Sequence, residues 1–136
     1  MIVFQGIELF TNFKPNAGWA VETLPATPGI YAEVYWPQRG IRFGETGRSV
    51  RGKIRHDIRW FRSMHDGSAP VEQLRRTLPI AEAAKATGVV GFEFYLVSAD
   101  VRLEDKALRQ ETERFLFTWA EQADDFANWN RQISWR

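Results

Sequence analysis

The chain has 136 residues, one domain's length, and is 44% hydrophobic and 26% charged, so it has an ordinary globular composition with enough apolar material for a core. It has no cysteine, which excludes disulfides and thiolate metal sites and fits a reducing, cytoplasmic setting. The net charge is only +1, no apolar run approaches the roughly 18 residues of a membrane span, and no basic-then-apolar leader opens the chain.

Residues 1–13 are rich in apolar side chains and predict an added edge strand. Pro15, Gly18, Pro25 and Pro28 make 14–28 a loop. The β-branched and aromatic run Gly29 to Trp36 predicts a strand. Pro37-Gln-Arg-Gly40 has turn chemistry with Gly40 at positive φ, and Ile41 to Glu45 returns as a second strand. Ser49 is suited to cap a helix over about 50–64, whose Val50, Ile54, Ile58 and Phe61 share a face. Gly67 and Pro70 break the chain before a second helix over 71–86, which Gly88 closes. Val90 to Val97 predicts a third strand, and Glu104 to Gln122 the longest helix. The tail from Phe126, with Trp129 and Trp135, is expected to pack back onto the domain. The order β-β-α-α-β-α predicts a single α+β domain over 1–136, with a small three-stranded antiparallel sheet flanked by helices.

Charge is unevenly spread. Arg39 to Arg62 holds eight Lys and Arg against Glu45 and Asp57, while 104–125 holds seven acids against Lys106, Arg109 and Arg114. A basic segment inside a nearly neutral chain points to an anionic ligand at one place; a solvated arginine-rich face is the plainer alternative. The phosphate-cradling glycine loop, the dinucleotide fingerprint and HExxH do not occur.

Gly29-Ile30-Tyr31 opens the first strand, Phe43-Gly44 stands twelve residues after Tyr31, and Glu45-Thr46-Gly47 leads into the basic helix. With its hairpin spacing and element order, this stretch resembles the GIY-YIG nucleases over about residues 28–120. The resemblance implies a metal-dependent endonuclease acting on nucleic acid, expected to be DNA. Tyr31 would orient or deprotonate the attacking water. Position 42, a tyrosine in the family, is Arg42. The family's helix arginine falls at Lys53, with Arg51 as near substitute, and its histidine at Asp57, beside His56. Glu113, or Glu111, would hold Mg²⁺ or Mn²⁺, and Asn128 or Asn130 would match a late asparagine. Arg48, Arg55 and Arg59 would contact the nucleic acid.

A single carboxylate suffices to anchor Mg²⁺, which keeps its waters. A tyrosine base would need cations to lower its pKa from about 10. Plainer readings stand beside these. Tyr31 could be a core residue, Gly44 and Gly47 turn glycines, His56 solvated, and Glu113 a surface partner of Arg109. Trp129 and Trp135 could stack on bases or pack the tail. The departures at Arg42 and Lys53 raise a second function, binding of nucleic acid or a protein partner without cleavage, and the aromatic surplus raises a third, an interaction module unrelated to nucleic acid.

Overall fold

The computed structural model describes residues 1–68 and 78–130. Among the described residues its α+β architecture has six strands, β1 (Ile2–Phe4), β2 (Ile7–Leu9), β3 (Gly29–Tyr35), β4 (Gly40–Thr46), β5 (Phe92–Ser98) and β6 (Ala127–Asn128). Its helices are α1 (Val50–Asp66), α2 (Pro79–Thr87) and α3 (Lys106–Gln122). The predicted helix over 71–86 is described only from Pro79; 71–77 lie outside the described residues.

The expected three-stranded sheet is a four-stranded one in the order β5-β3-β4-β6. β3 pairs antiparallel with both β4 and β5, and the tail adds β6 parallel to β4. Residues 1–13 do not extend this sheet. Gln5 and Gly6 both take positive φ (49° and 80°), as a two-residue hairpin turn requires, so β1 and β2 pair with each other. Phe10 N–H then donates to the Val97 carbonyl and ties the hairpin to β5.

β3 is central, and all seven of its residues are buried. Its side chains alternate between two cores. Ile30, Ala32 and Val34, with Ile41 and Phe43 of β4, meet Leu116, Phe117 and Ala120 of α3. Tyr31 and Tyr35 face the other way, toward Val50, Ile54 and Phe61 of α1 and Ile80 and Ala84 of α2. α1 starts where the Ser49 hydroxyl accepts from Gly52 N–H and stops at Gly67, whose φ of 75° suits a glycine.

Two glycines answer to packing rather than to turns. Gly44 lies opposite Tyr31 in the hairpin, and a Cβ there would stand 2.4 Å from the Tyr31 ring. Gly40 is covered by the Trp129 indole, which a Cβ would meet at 2.1 Å. The positive φ expected of Gly40 belongs to its neighbour Arg39, at 52°.

Candidate nucleic-acid interface

The α1 face of the sheet carries charge where its surroundings are apolar. Glu33 stands in the middle of β3 at 1% exposure, and Tyr31 beside it is fully buried. Asp57 belongs to the same buried stripe of α1 as Val50, Ile54, Phe61 and Met64. Arg42, directly across the hairpin from Glu33, donates from Nη1 to Glu33 Oε1 at 2.9 Å and lies 3.7 Å from Asp57 Oδ2. Lys53 Nζ is 3.9 Å from Asp57 Oδ1, and His56 Nδ1 is 3.3 Å from the same oxygen.

Burial sets the electrostatics of this cluster. Desolvation, reinforced by Asp57, pushes the Glu33 carboxyl well above the usual carboxylate range, and Arg42 offsets only part of that. Tyr31 is likewise pushed up, first by burial, and the nearby Arg42 charge does not reverse the shift. Burial works against the Arg42 cation, but Glu33, Tyr31 and Asp57 more than restore it, so its pKa lies above the ordinary value. Three buried oxygens, Tyr31 Oη, Glu33 Oε2 and Asp57 Oδ2, make no hydrogen bond among the described residues. Such atoms are uncommon, and each calls for a proton, a water or a ligand.

The charged members of the cluster line a cleft of about 190 Å³. Glu33, Arg42 and Asp57 form its polar side, Lys53 and His56 its rim, and Trp60, Leu78 and Ile80 an apolar wall. A second, shallower groove begins at Lys53 and His56 and runs past Gly52 and Ser49 to Arg48 and Thr46. Along the outside of α1, Arg55, Arg59 and Arg62 are exposed, as is Arg48 just before it. None of these four side chains forms an ion pair among the described residues. Residues three and four apart share a helix face, so Arg55, Arg59 and Arg62 make one basic ridge. The helix N-terminus itself offers no free amides. Val50 N–H donates to the Thr27 carbonyl, Arg51 N–H to Pro25, Gly52 N–H to the Ser49 hydroxyl and Lys53 N–H to the Ser49 carbonyl. An anion at this end must be met by side chains.

Tyr31, Arg42, Lys53 and His56 therefore lie at one cluster. Arg51 does not join them: its Nε donates to the Leu24 carbonyl at 2.8 Å, holding the preceding loop. Glu113 is buried in the stripe of α3 that includes Arg109, Thr112, Leu116 and Phe117, and that helix covers the opposite face of the sheet. No α3 residue lines the cleft. Glu111 is at the surface, accepting from Gln5 at 3.4 Å. Arg109 pairs with Glu45 through Nε at 2.6 Å. Asn130 Oδ1 accepts from Phe43 N–H, and Asn128 Oδ1 accepts from Asn130, so both asparagines finish the β4 edge. Trp129 stacks on Tyr35 at 5.8 Å and is held in the fold; Trp135 lies outside the described residues.

Glu33 is the residue that sequence reasoning passes over, and Asp57 enters it only as a counter-charge in the basic segment and as a mismatch with a histidine. Both had a signal: a carboxylate embedded in an otherwise apolar strand or stripe is rarely placed there for packing. Comparison with protein families, curated proteins and solved structures gives no match for this chain. Among the described residues no three His, Asp or Glu side chains are placed to hold a metal ion, and no helix is long and apolar enough to cross a membrane.

Proposed function

We propose that this chain is a GIY-YIG-like domain that binds nucleic acid along α1 without cutting it. The observation that carries the reading is the separation of the implied catalytic groups. Tyr31 and Arg42 belong to the α1 face of the sheet, and Glu113 to the helix on the other face. A Mg²⁺ or Mn²⁺ ion on Glu113 does not fit a site that also uses Tyr31, Arg42 and Lys53. Tyr31 is also a poor base: its hydroxyl is buried and its pKa is raised, the reverse of what water activation at neutral pH needs. Arg42 is committed to Glu33 and Asp57 and stabilises their charge rather than a phosphate's.

What remains available to a phosphate backbone is the ridge of Arg48, Arg55, Arg59 and Arg62. Cations that release condensed counterions give binding that weakens steeply with salt. Single- and double-stranded DNA should bind in low salt, and the double reversal Arg55→Glu/Arg59→Glu should weaken binding tenfold or more and flatten the salt slope by about two units. Plasmid and oligonucleotide should stay uncut in Mg²⁺ or Mn²⁺. Salt-independent binding, or none, would sink the reading. Metal-dependent cleavage abolished by Glu113→Ala would replace it with the endonuclease reading, which keeps its support from the Tyr31 hairpin and the helix that follows.

A further inference from the structure

We propose, resting on the nucleic-acid-binding reading, that the cleft beside α1 holds one unpaired nucleobase of the bound strand, one that presents an amino group to Glu33 and Asp57. Four observations converge on this chemistry. The cleft, at about 190 Å³, is smaller than the roughly 300 Å³ at which drug-sized sites begin, so it suits a single planar ring system better than a larger molecule. Its polar side offers two carboxylate oxygens, Glu33 Oε2 and Asp57 Oδ2, that are buried and make no hydrogen bond among the described residues. Acceptors in that state call for N–H donors, and the exocyclic amino groups of guanine, cytosine and adenine supply them.

Trp60 brings an aromatic ring to the cleft, beside the apolar Leu78 and Ile80. An aromatic or apolar wall combined with hydrogen bonds to the base edge is how extruded and single-stranded bases are held. Lys53 and His56 stand at the rim and are shared with the groove that leads to Arg48. A strand whose base enters the cleft would thus lay its phosphate along cations already in place.

The arrangement predicts a preference that the arginine ridge alone cannot produce. Thymine has no amino group, and its single ring N–H lies between two carbonyl oxygens that a carboxylate would repel, so an oligothymidylate strand should bind through the ridge only. The same strand with one central dG, dC or dA should bind about fivefold or more tighter, as a good polar base contact discriminates. Glu33→Gln and Asp57→Asn should level the strands while leaving oligothymidylate affinity in place. Those substituted strands should also quench tryptophan fluorescence, and Trp60→Ala should cut the preference and abolish that quenching; being half-buried, it serves if the carboxyl variants fail to fold. Equal, salt-sensitive binding of all four strands to the unaltered protein would overturn the cleft proposal and leave the ridge standing. No binding of any strand would remove both. Quenching by free dGMP or dCMP with no preference among strands would overturn it in favour of a free nucleotide.

Discussion

α1 and α3 are both 17-residue helices laid on opposite faces of one sheet, yet they meet it with different chemistry. On the α3 side the sheet presents Ile30, Ala32, Val34, Ile41 and Phe43, and a buried cation there, Arg109, is engaged by Glu45 and by the Leu103 carbonyl. On the α1 side Tyr31, Glu33 and Asp57 each keep a buried oxygen without a hydrogen-bond partner. A satisfied apolar face accounts for stability. An unsatisfied polar one costs stability and persists where it is used. The difference teaches where to look for function: it turns attention from Glu113, the carboxylate that the resemblance singles out, to Glu33.

The contrast breaks first on the α3 side. Leu116 is fully buried there, and Leu116→Ala should cost about 2–5 kcal/mol in denaturant unfolding while DNA affinity of the folded protein stays the same. An affinity that falls in step with stability would mean that the faces are not independent. On the α1 side, Arg42→Leu removes the cation shared by Glu33 and Asp57 and should cost about 3 kcal/mol. Because the Glu33 carboxyl then has no cation beside it, part of that loss should return as pH is lowered and Glu33 takes a proton; a loss independent of pH would show that Arg42 acts by packing alone.

The smallest effect is expected at Tyr31. Its native pKa is raised, so above about pH 10 the unfolded chain gives up a proton that the native chain keeps, and stability falls as pH rises through that window. Tyr31→Phe should remove this alkaline contribution and change stability at neutral pH by no more than about 1 kcal/mol, since the hydroxyl it deletes has no hydrogen-bond partner. Phenolate absorbance followed against pH checks the first point, and denaturant unfolding at neutral pH the second. A tyrosine that ionises near its ordinary value would return Tyr31 to consideration as a base.

Much of the frame was legible beforehand. Alternation and turn chemistry marked the β3–β4 hairpin, Ser49 and the stripe from Val50 to Phe61 marked α1, and the spacing of the last helix marked α3. The illegible parts depend on distant partners. β6 forms because Trp129 closes over Gly40 and Tyr35, nearly ninety residues away in sequence, so a two-residue strand left no periodic trace. The β1–β2 turn was missed because Gln5 takes a left-handed conformation that its side chain does not advertise. Gly44 could stand in the sequence as part of a signature or as a turn glycine; in the fold it is the space that the Tyr31 ring occupies.

The sequence by itself determined the local elements and the basic segment, because periodicity, capping and charge are properties of neighbouring residues. It also placed Tyr31, Glu33, Arg42 and Asp57 within one short stretch. Only the tertiary structure decided which face of the sheet each side chain would share. A strand sends successive residues to opposite sides, and the helix that covers each side is chosen by packing over the whole chain. That choice put Glu33 and Asp57 together around Arg42, and set Glu113 behind the sheet.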